Sequence, residues 1–264
     1  METTRASQAR WFSGDFATPA IHKVTADETG RWLAAGWRDL RRSPALSLGY
    51  GLSFVAFGYL LLVGLEQVGL GSLFLPLLGG FMLVAPVLAV GLYEISRRLE
   101  LGDRPDIRTL LAFRRNGEQI GMMGVALLIL TLVWIQLAFL LFALFFSASP
   151  PPMESFLLSI LTSTGNLPFL LIGTAIGGFF AALAFTISVV SIPMLLDRDA
   201  TVVTAIATSI QAVLQNWRVM IGWAAMIVLI IGAGMATLFI GLAIALPLVA
   251  HASWHAYRGL VGQD

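Results

Sequence analysis

The chain has 264 residues, of which 58% are hydrophobic and only 12% charged, against about 25% charged residues in a typical soluble domain. This composition excludes an ordinary soluble protein. Several uncharged runs reach the ~20 residues needed to cross a bilayer, so the sequence predicts an all-α polytopic membrane bundle. The chain has no cysteine, which excludes disulfides, thiol catalysis and cysteine-ligated metals.

The N-terminal region divides into a tail and a short helix. Residues 1–25 are polar and mixed, and we expect a flexible cytoplasmic tail with no cleavable signal peptide. Residues 26–42 combine tryptophans with arginines, which is typical of a helix at the lipid headgroup boundary. The alternative is a solvent-exposed helix packed on nothing. Thr25 and Glu28 have the spacing of a capping box at its start.

Six transmembrane helices are predicted from the apolar runs. Their approximate bounds are 46–65, 73–95, 121–146, 167–195, 218–234 and 238–257. The last apolar region would be ~57 Å long as one straight helix, almost twice the thickness of the hydrocarbon core. A reversal near Gly232 and Gly234, giving two short spans, is therefore favoured over one span.

Two further amphipathic segments, residues 106–115 and 201–217, are predicted as surface helices. In residues 201–217 the large apolar residues follow a 3.6-residue period, and threonines and glutamines fall largely on the opposite side. Asp199 is a candidate cap for this helix. We expect the helix to lie along the membrane surface against the bundle.

The predicted elements form three hairpins, each with an amphipathic interfacial helix before it. The second span of each hairpin contains a proline, Pro86, Pro193 or Pro247, which should kink or unwind the helix because it removes a backbone donor. Each proline precedes a polar exit from the membrane. The order indicates a possible pseudo-threefold repeat.

The placement of basic residues predicts the orientation. In the six-span arrangement all 16 Lys and Arg residues lie on one side of the membrane. The positive-inside rule then places both termini and the charged loops in the cytoplasm. A five-span arrangement would leave Arg258 outside.

The polar exits carry six charged residues. The simplest interpretation is a solvated helix end, where a glutamate–arginine pair contributes a few tenths of a kcal/mol. The functional alternative is a cytoplasmic gate or a contact with a partner. The residues are Glu94, Arg97, Arg98, Asp197, Arg198 and Asp199.

His251 and His255 are four residues apart and share one helical face, a spacing that can bind a metal or place an imidazole near a haem. Two ligands do not complete such a site. We therefore interpret both as boundary histidines and expect no cofactor, no haem absorption and no stoichiometric metal in the purified protein. Metal or haem binding and proton handling stay as alternatives.

Four segments together resemble a bacterial integral-membrane family, domain of unknown function 2189. They are Gly36–Asp39, Val90–Glu100, Ser191–Asp199 and His251–Tyr257, and the resemblance extends over nearly the whole chain from about residue 20. It implies a bacterial inner-membrane protein of several spans with no established activity. Some relatives carry labels suggesting cytochrome oxidase subunits, which the three histidines of this chain do not support as a catalytic role.

We therefore expect a non-enzymatic inner-membrane protein that acts as an accessory or assembly component of a larger membrane complex, a respiratory complex being one candidate. Its expected partners are the lipid bilayer and other membrane-protein subunits, and not nucleic acid. The alternative is a channel or carrier for a small neutral or amphiphilic molecule, lined by the proline-broken spans. No charged residue falls at a predicted midplane, which argues against ion-coupled transport.

Overall fold

The computed structural model describes residues 18–70, 73–114, 116–146 and 164–262. Within these ranges every regular element is helical, apart from one antiparallel bridge between Ile21 and Val261. Short 3-10 helices cover Ile107–Arg114 and Thr164–Asn166. The α-helices are α1 (Asp27–Arg42), α2 (Pro44–Gln67), α3 (Phe74–Leu88), α4 (Val90–Glu100), α5 (Gly117–Phe146), α6 (Leu167–Ser188), α7 (Ser191–Asp197), α8 (Val202–Gln215), α9 (Trp217–Ala236) and α10 (Leu242–Leu260).

The described helices confirm the predicted class, an all-α polytopic membrane bundle. Five helical stretches are long and apolar enough, by length and composition, to cross a membrane: Pro44–Gln67, Pro76–Glu100, Gly117–Phe146, Leu167–Asp197 and Trp217–Ala236. They coincide with the first five predicted spans. The sixth predicted span corresponds to α10, which is mostly buried within the bundle.

The order of elements repeats three times along the chain. Each unit has a short helix, a long apolar helix and a return containing a proline: α1, α2 and α3–α4; the 3-10 helix Ile107–Arg114, α5 and α6–α7; and α8, α9 and α10. The predicted amphipathic segment 106–115 is thus a 3-10 helix, and most of the long predicted connection before α6 lies outside the described residues. The pseudo-threefold symmetry of the units stays a prediction.

The return of the second unit is broken between α6 and α7. Pro193 has no N–H to donate to the carbonyl of Val189, four residues earlier, and its ring would clash with that carbonyl in a regular helix. The helix is interrupted at that point. Ser209 of α8 binds two backbone groups beside this break, since its Oγ accepts from the Val190 N–H at 3.2 Å and donates to the Thr186 carbonyl at 2.7 Å.

The last hairpin turns later than predicted. Gly232 and Gly234 lie within α9, and the reversal occupies residues 237–241, where the Thr237 hydroxyl donates to the Gly234 carbonyl and accepts from the Gly241 N–H, both at 2.8 Å. Gly234 instead permits close packing, because a Cβ there would lie 3.0 Å from the Ala245 Cβ. The last apolar region therefore forms two helices, α9 and α10, and not one straight helix.

Helix α10 is the centre of the fold and packs against α1, α2, α4, α7 and α9. Two glycines allow this. A Cβ on Gly36 of α1 would lie 2.5 Å from the backbone nitrogen of Ala252, and a Cβ on Gly51 of α2 would collide with the Ala243 carbonyl. Any larger residue at these positions would push α1 or α2 away from α10.

Helix α1 packs on the bundle through its apolar side. Its buried residues are Trp32, Ala35, Gly36, Asp39 and Leu40. The Trp32 ring meets Trp223 edge-on, with 5.7 Å between ring centroids. The opposite side, here called the basic face, carries exposed Arg31, Arg38, Arg41 and Arg42. The predicted capping box is wrong, because the described contacts give α1 no side-chain cap and Glu28 pairs with Arg31 instead.

Helix α8 packs on the bundle through its small residues. Val202, Ala205, Thr208, Ser209 and Ala212 are buried, and the helix contacts α6 and α7. Three large apolar residues here, together called the outer apolar face, are exposed: Val203 and Leu214 of α8, by 53% and 65%, and Trp217, the first residue of α9, by 54%. Its cap is Thr201, whose side chain accepts from the Thr204 N–H at 3.2 Å, and not Asp199 as predicted.

The two ends of the described chain meet at one end of the bundle. Besides the bridge between Ile21 and Val261, the His22 N–H donates to the Leu260 carbonyl at 2.9 Å. The Asn216 side chain accepts from the Val24 N–H at 2.9 Å and donates to the His22 carbonyl at 3.0 Å. Residues 18–25, predicted as part of a flexible tail, are therefore held by backbone pairing, and residues 1–17 lie outside the described ranges.

Candidate functional site

A buried histidine joins three helices at the polar end of α10. His251 is fully buried, and its two ring nitrogens lie 2.9 Å from the Ser47 Oγ of α2 and 2.8 Å from the Ser96 Oγ of α4. A neutral imidazole has one donor and one acceptor nitrogen. One serine must therefore accept and the other donate, which satisfies the ring without any further ligand.

The second predicted histidine binds α1 and not a shared ligand. The His255 Nε2 lies 2.7 Å from the Asp39 Oδ2, and Asp39 is only 4% exposed. Burial alone would raise the pKa of the Asp39 carboxyl, but the hydrogen bond and charge of His255, with a hydrogen bond from Ser96, hold that pKa below its usual value. The pair therefore fastens α1 to α10 while Asp39 is ionised.

The C-terminal turns of α10 meet two carboxylates. The Trp254 Nε1 donates to Glu100 of α4 at 3.0 Å, and the Tyr257 hydroxyl donates to Asp197 of α7 at 2.8 Å. Arg258 bridges both carboxylates, with Nη2 2.9 Å from Glu100 and Nη1 3.2 Å from Asp197. The return helices of all three units are thus joined by one set of charged hydrogen bonds.

The predicted gate residues do not form one cluster. Asp197 and Arg198 belong to the α10 network, since the Arg198 Nε donates to the Tyr257 hydroxyl at 3.1 Å. A second nitrogen of the Arg198 guanidinium donates to the Gly262 carbonyl. Asp199 is exposed beyond α7.

Glu94 is paired with two arginines of its own helix, α4. Arg97 donates to both of its carboxylate oxygens, at 2.6 and 3.0 Å, and Arg98 donates at 2.9 Å. The interpretation of Glu94 as a solvated helix end is wrong, because Glu94 is only 3% exposed. A buried carboxylate requires such partners, since an isolated charge in the interior is costly.

The third group of predicted residues, the prolines, lies within the packed bundle. Pro193 and Pro247 are buried and Pro86 is half-buried. Pro86 comes just before the break between α3 and α4 at Ala89, and the carbonyl of Leu88 accepts a hydrogen bond from the Tyr50 hydroxyl. Side chains of neighbouring helices therefore satisfy backbone groups near the breaks of the first two units.

The hydrogen bonds and ion pairs of this network hold α10 to its neighbouring helices. His251 and His255 contact different partners, and the described residues contain no group of three or more histidines and carboxylates arranged to hold a metal. The residues Ser47, Ser96, Asp39 and Glu100 were not predicted as site residues. Two signals were available in the sequence: Ser96 near the end of an apolar run, and Asp39 in the Gly36–Asp39 segment on which the family resemblance depends.

Of three comparisons with known proteins, one found a match. Residues 73–197 match the family described as "Predicted integral membrane protein (DUF2189)", whereas a search of curated proteins and a search of solved structures found no match. The matched region runs from the start of the first return to the end of α7, so it includes Val90–Glu100 but not Gly36–Asp39 or His251–Tyr257. The resemblance inferred from the sequence is thereby confirmed: through residues 73–197 the chain matches a family of predicted integral membrane proteins of unknown function.

Proposed function

We propose that this integral membrane protein is a non-enzymatic accessory or assembly subunit of a larger complex in the bacterial inner membrane. The observation that carries the proposal is an outward row of small residues on α6, a candidate span. Thr174, Gly178 and Ala182 follow one another at four-residue spacing and are all exposed. A Cβ on Gly178 would meet no atom within 4 Å. Rows of this kind let two membrane helices approach closely.

The bundle itself supports a packing role. Its polar residues at the α10 end are directed at one another through the hydrogen bonds described above, and large apolar residues such as Leu92, Ile192 and Leu195 fill the core beside them. The channel or carrier alternative requires the broken spans to line a polar path. Here Ser209 and Tyr50 bind the backbone near the breaks, which favours a closed bundle.

The orientation of the protein is part of the proposal. The bridge between Ile21 and Val261 brings the two ends of the described chain to the same end of the bundle, which supports an even number of crossings and hence six. With the basic residues on that side, both termini are cytoplasmic. Reporter fusions after residues 68 and 236 should give an outside location, and fusions after residues 110, 205 and 264 an inside location.

The test of the assembly role is purification in mild detergent with a matched pair of variants. The wild-type protein should bring down one partner in stoichiometric amount. Gly178→Leu should lose that partner, because the added side chain starts from an exposed position and projects into the proposed interface. Gly64→Leu on α2 is the control: a Cβ there also meets no atom within 4 Å, but its neighbours Leu60 and Val68 are large and exposed.

Two results would contradict the assembly role. One is purification of a monomeric wild-type protein with no partner under conditions that preserve its fold. The other is equal loss of the partner in both leucine variants, which would remove α6 as the contact surface.

A further inference from the structure

We propose that the basic face of α1 binds the headgroups of anionic phospholipids in the leaflet where α2 begins. The site consists of Arg38, Arg41 and Arg42, with Trp37 beside them. It does not depend on the assembly role proposed above.

The three arginines are available to an external anion. All three are exposed, and in the described part of the chain none of them forms a hydrogen bond or ion pair with a carboxylate. Four other arginines of the described chain are paired with carboxylates: Arg31 with Glu28, Arg97 and Arg98 with Glu94, and Arg258 with Glu100 and Asp197. A guanidinium presents a planar fork of donors that matches a phosphate group.

The position of the arginines points to lipid. Helix α2, a candidate span, begins at Pro44, two residues after Arg42. Arg41 and Arg42 therefore lie within about one helical turn of the point where the chain enters the apolar region. Trp37 is 43% exposed on the same helix, and tryptophan is enriched at the headgroup level of membranes.

The basic face also has a fixed direction. On the far side of α1, Gly36 is in close contact with Ala252, and Asp39 is bound to His255 at 2.7 Å. These contacts prevent α1 from rotating to bury its arginines. Three unpaired positive charges held at the edge of a span complement the negative surface of an anionic leaflet, which attracts nearby basic residues.

The experiment compares lipid retention by two charge-matched variants. Wild-type protein, Arg38→Gln/Arg41→Gln/Arg42→Gln and Lys23→Gln/Arg104→Gln/Arg108→Gln are purified from mixed phosphatidylglycerol and phosphatidylcholine, and bound lipid is counted by native mass spectrometry. Both variants lose three exposed positive charges. We expect wild-type protein to retain phosphatidylglycerol preferentially, the α1 variant to lose that preference about tenfold at low salt, and the control to stay within about twofold.

Two further arms keep the proposal testable if the α1 variant folds poorly. Arg38→Lys/Arg41→Lys/Arg42→Lys retains the charge and should keep most of the preference. For wild-type protein alone, phosphatidylglycerol vesicles should raise the thermal midpoint more than phosphatidylcholine vesicles, and this difference should shrink as salt is increased. Equal retention of both lipids by wild-type protein, equal loss in both glutamine variants, or the same stabilisation by free inorganic phosphate would overturn the proposal.

Discussion

Helices α1 and α8 occupy equivalent places in the first and third units, yet they pack in opposite senses. Helix α1 buries tryptophan and leucine on α10 and exposes arginines, whereas the buried residues of α8 are mostly alanine, serine and threonine, and two of its large apolar residues, Val203 and Leu214, are exposed. Both sequences show two distinct faces. Periodicity therefore reveals the two faces of a helix, and its neighbours decide which face is packed.

The neighbours differ in what they accept. Helix α10 presents Ala252 and Gly259 to α1. The bulky Trp32 ring fits over Gly259, where an added Cβ would lie 2.9 Å from the ring Nε1. Helix α8 instead meets a broken helix with unsatisfied backbone groups, and Ser209 supplies the donor and acceptor they need. In a membrane protein such backbone groups must be bound internally, which makes the hydroxyl side of α8 its packing side.

The largest effect is expected from Gly36→Leu, which attacks the packing of α1. The new side chain would collide with the backbone of Ala252, which cannot move aside without shifting α10, so we expect a loss of about 3 kcal/mol of stability, at the upper end for overpacking. Thermal unfolding in mild detergent measures it. Gly30→Leu on the same helix is the control, because a Cβ there meets no atom within 4 Å, and it should unfold like wild type. A stable Gly36→Leu protein would show that α1 is not held against α10.

Ala212→Leu tests the same point on α8 and should cost about 2 kcal/mol. Ala212 is fully buried on the small-residue side, and added carbons there force α8 away from the helices on which it packs. Leu214→Ala, two residues later on the outer apolar face, should stay within about 0.5 kcal/mol of wild type in detergent. The reverse order of the two thermal midpoints would mean that α8 packs through its large apolar residues.

Much of the fold follows from the sequence because long apolar runs have few alternatives in a membrane protein. The predicted span 46–65 lies within α2, and the predicted span 167–195 covers α6 and α7 together. The position of the helix breaks was less accessible. A proline shows that a break is near, but its place depends on which side chain is available to bind the freed groups, as Ser209 does across units.

The candidate site was predicted only in part, for a related reason. His251 and His255 were identified from their spacing, but their partners Ser47, Ser96 and Asp39 come from helices more than 150 residues away in the chain. A single sequence contains no local pattern that predicts such distant pairs. The burial of Glu94 was missed because its two arginine partners on the same helix resemble a surface pair when seen as a sequence.

A smaller effect is expected from Asp39→Asn, which weakens the attachment of α1 without adding bulk. The pKa of Asp39 is lower in the folded protein than its usual value. The unfolded chain therefore binds the proton more readily, and stability falls as the pH drops through the folded pKa. Replacing the carboxylate by an amide should cost about 1 kcal/mol at neutral pH, and the difference from wild type should shrink as the pH is lowered below about 4.

The measurement is the thermal midpoint of both proteins between pH 7 and pH 3. Asp199→Asn, which changes an exposed carboxylate on the same end of the bundle, is the control and should follow wild type throughout. A constant difference between wild type and Asp39→Asn at every pH would contradict the ionised pair between α1 and α10.

The smallest effect on stability is expected from Trp217→Phe, which instead tests whether this tryptophan lies among the lipid acyl chains. Trp217 is exposed on the outer apolar face, and the Arg218 guanidinium carbon lies 5.1 Å from its ring centroid, an exposed cation–π contact of about 0.5 kcal/mol. If this face meets acyl chains while the basic face of α1 meets headgroups, lipids brominated on the acyl chains should quench Trp217 more than Trp37. Trp217→Phe should then remove more of the quenched fluorescence than Trp37→Phe does. Equal losses from the two variants would place both tryptophans at the same depth and remove the contrast between the two faces.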